Sequence, residues 1–300
     1  MHFLSVDDFS KEQIDEIFDI ADDLKKGRLA ISLKEKSVLA LLFQKPSTRT
    51  RTSFEVAIVK LGGAAIYIDP STSQISRGES ISDTAKVLSS YVDFLAARMF
   101  SQNDLLELAK NSSVPVINAL TDLEHPTQAI ADLYTILQAK KKLKRVRIAF
   151  VGDIAANTAN SLMLAGAKLG VEISLVGPKG YQPNPIYFTK AREFSRIEVY
   201  DDVKEGVANA DIIYTDTFVS MGQEKEAEKR KALFSKYQVN NAMLNYAKKD
   251  VLVMHCLPAH RGEEIAAEVI DGPKSIVWDQ AKNKLLLEQA IILYLSEKKL

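Results

Sequence analysis

The chain carries a single cysteine, Cys256, among 300 residues. That excludes an intrachain disulfide and suits a reducing compartment. Neither sign of charge is in excess: Lys plus Arg and Asp plus Glu both number 39, so no overall field draws the protein to nucleic acid or to an anionic membrane. No apolar run approaches the roughly 18 residues of a membrane span. Met1 to Asp8 turn acidic early, without the basic leader and apolar core of a secretory signal. Glycine is too sparse in the places where phosphate loops need it. There is no Gly-Lys-Ser/Thr ending, and after the run ending at Val151 only Gly152 stands where a dinucleotide fingerprint needs three. No Cys-x-x-Cys exists, so a structural zinc lacks its paired ligands. Internal repeats and low-complexity tracts are absent too. A cytoplasmic globular enzyme with no metal is the expectation these absences leave.

What is present is alternation. Ser10 and Gln13 form a capping box, and Ile14, Ile17, Ala21 and Leu24 make one helical stripe that stops at Gly27. Near-continuous apolar runs then alternate with amphipathic segments. A first series comprises Val38–Phe43, Ala64–Ile68, Phe94–Ala97 and Val114–Asn118. A second comprises Val146–Val151, Glu172–Val176, Ile197–Tyr200, Asp211–Tyr214 and Val251–Met254. Fully apolar strands alternating with helices predict an α/β protein whose two series each form a parallel sheet flanked by helices. The basic run Lys140–Arg145 separates the two series; with no aromatics interleaved it reads as a solvated helix end rather than a nucleic-acid patch. The apolar stretch Leu285–Leu295 is helical and packs back onto other elements. The expected division is 1–138 with 285–300, and 139–284.

Polar residues gather where these strands end. Pro46-Ser47-Thr48-Arg49-Thr50-Arg51 lies between the first strand and a helix carrying Phe54, Ala57, Ile58 and Leu61, closed by Gly62-Gly63. Hydroxyls and guanidinium groups at a helix N-terminus, where backbone N–H groups lack partners, favour a phosphate. Arg98, His125-Pro126-Thr127-Gln128, Asp153 with Asn157 and Asn160, Asp216 to Gly222, and His255-Cys256-Leu257-Pro258 also follow strands, and ligands bind at the carboxyl ends of parallel strands. Cys256 and His255, being adjacent on a strand, are expected to face opposite ways, which argues against a Cys–His nucleophile pair.

The motifs Ser47-Thr48-Arg49-Thr50-Arg51 and His125-Pro126-Thr127-Gln128 resemble those shared across the aspartate/ornithine carbamoyltransferase family. Asp216-x-x-x-Ser220-Met221-Gly222 and His255-Cys256-Leu257-Pro258 resemble those that set its ornithine branch apart. The likeness runs from end to end, including Gln74 and Gly78-Glu79-Ser80-Ile81.

The resemblance implies transfer of a carbamoyl group from carbamoyl phosphate to the δ-amine of L-ornithine, a step of arginine metabolism. It also implies two domains with the active site in the cleft between them: the first would bind carbamoyl phosphate and the second ornithine, without metal, organic cofactor or covalent intermediate. Ser47, Thr48, Arg49 and Thr50 would grip the phosphate. Arg98, His125 and Thr50 would donate to the carbonyl oxygen, and Gln128, in the run with Pro126 and Thr127, would fix the carbamoyl amide. Gln74 would reach into a neighbouring subunit's site, implying a homotrimer or a multiple of trimers. Asn157, Asp216, Ser220 and Met221 would hold the amino-acid end of ornithine. Asp216 and Cys256, with the Leu257 carbonyl, would orient the reacting amine. One departure stands out: the family reads Asp-Gln-Ala-Glu-Asn-Arg where this chain reads Asp279-Gln280-Ala281-Lys282-Asn283-Lys284, so either Lys284 or Lys282 takes the arginine's place on carbamoyl phosphate, or the donor binds more weakly. The rival readings are a transferase for putrescine or an acylated ornithine, and a silent relative that only binds.

Overall fold

The computed structural model describes residues 1–28, 33, 36–69, 73–219 and 224–297. It divides into two compact units, Met1–Ala131 with Asn283–Leu300, and Asp132–Lys282. In chain order the first unit contributes α1 (Lys11–Lys25), β1 (Val38–Phe43), α2 (Thr48–Lys60), β2 (Ala64–Ile68), α3 (Ile81–Ser89), β3 (Phe94–Arg98), α4 (Gln102–Asn111) and β4 (Val116–Leu120). Helix α5 (Pro126–Lys140) carries the chain into the second unit, which adds β5 (Arg147–Val151), α6 (Asn157–Lys168), β6 (Glu172–Val176), α7 (Pro185–Arg192), β7 (Ile197–Tyr200), α8 (Val203–Val207), β8 (Ile212–Thr215), α9 (Ala227–Phe234), α10 (Asn241–Leu244), β9 (Leu252–His255) and α11 (Ala267–Ile270). Helix α12 (Val277–Glu297) begins in the second unit and ends in the first.

Both sheets are parallel, as the alternation predicts. The first has strand order β2-β1-β3-β4 and the second β7-β6-β5-β8-β9. In each, one pair of neighbouring strands sends its connections in opposite directions: β1 and β3 in the first sheet, β5 and β8 in the second. A parallel sheet opens a crevice for ligands at such a point.

Local chemistry explains the elements. Ser10 and Gln13 complete the capping box of α1, whose Ile14, Ile17 and Ala21 are fully buried while Leu24 is half-buried. The α2 stripe of Phe54, Ala57, Ile58 and Leu61 is fully buried. Its stop needs two glycines: Gly62 takes φ +83°, and a Cβ on Gly63 would lie 2.4 Å from the Ser37 carbonyl oxygen. Strand β4 starts two residues later than the apolar run suggests. The Ser112 hydroxyl accepts from Val114 N–H and donates to Val114 C=O, and Pro115 has no N–H to offer, only a carbonyl that accepts from Leu95 N–H at 2.9 Å, so residue pairing begins at Val116. Behind β1, β3 and β4, Leu42, Leu95, Ala97, Leu105 and Leu108 make a core. Val151, Val176, Ile213, Phe234 and Val253 do so in the second unit. The C-terminal half of α12 buries Leu287, Ile291 and Leu295, and Tyr294 meets the Phe9 ring at 6.0 Å. Around Lys140–Arg145 the lysines and arginine stay largely exposed, apart from Lys140, which donates to Asp250 at 2.8 Å. No helix among the described residues is long and apolar enough to cross a membrane.

Candidate active site

The first unit assembles a cationic cluster at the β1/β3 crevice. The turn after β1 is pinned to the end of β3: Gln44 N–H donates to Arg98 C=O at 2.8 Å, and Phe100 N–H donates to Gln44 Oε1 at 2.9 Å. From that turn Ser47 caps α2, its Oγ accepting from Thr50 N–H at 3.3 Å. Thr48 and Arg49 are exposed at the helix start and Thr50 is buried. Arg51 is committed elsewhere: it pairs with Glu55 at 2.9 Å and lies 3.7 Å from the centre of the Tyr67 ring. The β3–β4 register slips between Ala97 and Arg98, so the slip falls at the last residue of β3, just where the crevice opens. Arg98 is only 6 % exposed, and among the described residues its Nε has no hydrogen-bond partner. Burial, helped by Arg49, lowers its pKa to about 10.

His125 sits at the start of α5 behind a turn closed by Thr121 N–H to Glu124 C=O at 2.8 Å. His125, Thr127 and Gln128 are all buried. Burial, then Lys284 and Arg98, push the His125 pKa well below 6.5; the ring is therefore neutral and can donate from one nitrogen. The two lysines differ in placement: Lys284 is buried and its Nζ donates to Thr50 Oγ1 at 2.9 Å, whereas Lys282 is exposed. Gln74 is exposed on a short 3₁₀ turn, and among the described residues no side-chain hydrogen bond joins it to this cluster.

The depressed histidine carries a pH signature. Its folded pKa lies below the unfolded value, so its contribution to stability is fully present above pH ~6.5 and is lost as the pH falls towards the folded value, because the unfolded chain takes up a proton first. We expect the thermal midpoint to fall less on acidification from pH ~6.5 in His125→Gln than in the wild type, checked by paired melts across that range.

The second unit gathers its polar residues at the β5/β8 crevice. Gly152, at φ +120°, turns the chain out of β5. Asp153 then accepts from Ala155 N–H at 3.2 Å and pairs with the buried Arg230, which also donates through Nε to Phe218 C=O at 2.7 Å. Asn157 starts α6 and Asn160 is buried one turn on. Asp216, half-buried just past β8, accepts from Thr217 N–H at 2.7 Å. Ser220, Met221 and Gly222 lie outside the described residues.

Cys256 falls beside Asp216, and this corrects the expectation about its neighbour. Strand β9 ends at His255, so strand alternation does not govern the next residue, and ligand atoms of Asp216, His255 and Cys256 lie within 4.8 Å of one another. Burial and the Asp216 carboxylate nevertheless hold the thiol well above its usual pKa, the opposite of nucleophile activation. The His255 ring is also engaged: Nδ1 accepts from Leu257 N–H at 2.8 Å, which leaves the proton on Nε2 to donate to Glu264 at 3.0 Å. Burial opposes the charge of Glu264, but the His255 bond and His260 N–H outweigh it and hold its pKa low. This clamp keeps Leu257 at φ +60°, a costly backbone for a leucine. A second chain of bonds supports the loop from below: His255 N–H donates to Gln280 Oε1 (3.0 Å), while Gln280 Nε2 and Tyr214 Oη donate to the Asp132 carboxylate at 2.8 Å each. Glu264, Arg230, Asp132 and Tyr214 were not singled out from the sequence, which marks none of them by spacing.

Known proteins carry the same organisation. Residues 1–138 match the family described as "Aspartate/ornithine carbamoyltransferase, carbamoyl-P binding domain" and residues 144–295 match its "Asp/Orn binding domain". The ornithine carbamoyltransferase of Picrophilus torridus is 48 % identical over 287 residues, covering 94 % of this chain and 95 % of that protein. The Bacillus subtilis ornithine carbamoyltransferase is 46 % identical, covering 96 % and 92 %. The structure of the ornithine carbamoyltransferase from Pyrococcus furiosus superposes with a TM-score of 0.93 at 44 % identity, covering 99 % of this chain and 97 % of that one. On matches of this extent over both units, the chain belongs to the aspartate/ornithine carbamoyltransferase family.

Proposed function

We propose that the protein transfers the carbamoyl group of carbamoyl phosphate to the δ-amine of L-ornithine, giving L-citrulline and phosphate. The observation that carries the reading is the buried donor cluster of the first unit, in which Thr50 accepts from Lys284 at 2.9 Å, His125 lies in the fields of Lys284 and Arg98, and Arg98 lies in that of Arg49. So much positive potential in a dry crevice suits a dianion. We assign Ser47, Thr48, Arg49, Thr50 and Lys284 to the phosphate, each charge-assisted bond contributing roughly 1.5–3 kcal/mol. Arg98, His125 and Thr50 donate to the carbonyl oxygen as it gains charge. Gln128, with Pro126 and Thr127 setting its turn, holds the carbamoyl amide. Residues 1–138 with 285–300 form the carbamoyl-phosphate domain in this reading, and 139–284 the ornithine domain.

On the second unit Asn157, Asp216, Ser220 and Met221 take the α-amino and carboxylate end of ornithine. Asp216, Cys256 and the Leu257 carbonyl orient the δ-amine. Only the neutral amine attacks. Releasing its proton at pH 7 costs about 4–5 kcal/mol for a lysine-like group, a cost that proximity to Arg98 lowers. The new C–N bond forms as the C–O bond to phosphate breaks, and the amine's proton leaves with the phosphate. The reading includes a homotrimer or a multiple of trimers in the cytoplasm, with Gln74 completing a neighbour's site; exposed Val59 on α2 and Ile66 on the edge strand β2 offer apolar surface for association.

A citrulline-forming assay tests the reading. With carbamoyl phosphate supplied, ornithine is expected to turn over at least about 100-fold better than putrescine or aspartate, because a site built around charged amino-acid groups rejects molecules that lack them. Preferred turnover of putrescine or aspartate would overturn it.

A further inference from the structure

Glu288 follows Lys284 by one turn of α12, so the two side chains share a helix face. The glutamate is 0 % exposed. Among the described residues neither carboxyl oxygen has a partner in hydrogen-bond geometry, although the Ser53 hydroxyl is near enough to favour the ionised form. Thr50 and Ser53 are themselves one turn apart on α2. Thr50 accepts from Lys284 Nζ at 2.9 Å, and the Ser53 hydroxyl donates to Thr50 C=O at 3.2 Å. A helix face that only had to pack would carry leucine here, since an unpaired buried carboxyl is costly. We propose that Glu288 is a positioning residue for carbamoyl phosphate: from one turn behind Lys284 its carboxyl controls how much of the lysine's charge is available to the bound phosphate. The inference rests on the assignment of Lys284 to the phosphate.

The control works through a proton. Burial raises the carboxyl's pKa to about 8, against the pull of the Lys284 ammonium and then of Ser53. Among the other charged groups of this region, Arg51 and Glu55 on α2 pair with each other, His125 lies in the fields of Lys284 and Arg98, and Arg98 lies in that of Arg49. Below pH ~8 the carboxyl is neutral and the ammonium acts on the phosphate undivided. Above it, a carboxylate competes for the same ammonium and repels the dianion. Bound phosphate therefore raises the carboxyl's pKa, and affinity falls as pH climbs.

Calorimetric titration of the full-length protein with carbamoyl phosphate, without ornithine, tests this in two buffers of different ionisation enthalpy. Wild-type affinity is expected to drop roughly three- to tenfold from pH ~7 to pH ~9, with proton uptake on binding near pH ~8.5. Glu288→Gln should lose the uptake and hold its affinity within about twofold across the range. An unchanged pH slope in Glu288→Gln, or no proton uptake by the wild type, would overturn the proposal, and the second measurement needs no variant. Failure of the underlying reading looks different: the wild type would then bind no carbamoyl phosphate at any pH.

Discussion

Arg98→Met is expected to cut kcat/KM for carbamoyl phosphate by about 10²–10³ while leaving the thermal midpoint unchanged or higher. The guanidinium is buried at the β3/β4 slip with Nε unpartnered among the described residues, and its pKa is already driven down to about 10. Nothing in the folding of the first unit requires a charge there. In the proposed reading the group is pre-organised for negative charge that develops on the carbonyl oxygen of the donor. Such donors act chiefly in the transition state, so the loss should fall on kcat at least as heavily as on KM. Arg98→Lys keeps the charge but not the planar fork, and is expected to recover less than the full activity. Steady-state kinetics paired with thermal melts check both outcomes. A loss below about fivefold, or a clear fall in stability with activity retained, would show Arg98 to be structural.

The two parallel sheets were legible because a strand buried on both faces is apolar throughout, and a run such as Val38–Phe43 has no competing reading once helices flank it. Strand ends were less legible. Val114 reads as strand until the Ser112 hydroxyl takes its backbone groups, an interaction that propensity does not register. In the candidate site, the residues at strand ends could be picked out one motif at a time. Their allegiances could not: Arg51 looks as suited to phosphate as Arg49 until Glu55 and Tyr67 claim it. The supporting polar residues were invisible for a related reason. Glu264, Asp132 and Arg230 earn their burial from partners 9, 82 and 77 residues away in the chain, and on their own helices and loops they read as ordinary surface charge.

Arg230 shows what such a partner does. Its guanidinium is almost completely buried against the Asp153 carboxylate, donates to Phe218 C=O, and lies about 5 Å from the rings of Tyr181 and Phe234. One side chain thus ties the turn after β5 to the segment after β8, the two strand ends that carry Asn157 and Asp216. Burial raises the Asp153 pKa even with Arg230 beside it. Arg230→Met should therefore strand a desolvated carboxylate and cost about 3–5 kcal/mol, which in a unit of this size lowers the thermal midpoint by about 6–20 °C. The sign of the pH effect follows. A carboxyl whose folded pKa exceeds its unfolded one costs stability above the unfolded value, so the variant should regain stability as pH falls and Asp153 takes up a proton. Adding Asp153→Asn removes the stranded charge, so the double variant should be more stable than Arg230→Met alone at neutral pH. Because the Phe218 carbonyl stays unanchored in both, KM for ornithine should remain raised even where stability returns. Melts of the wild type and the two variants across pH, read beside ornithine kinetics, separate the two effects: if KM recovers along with stability, the arginine holds the fold and has no separate part in placing Asp216.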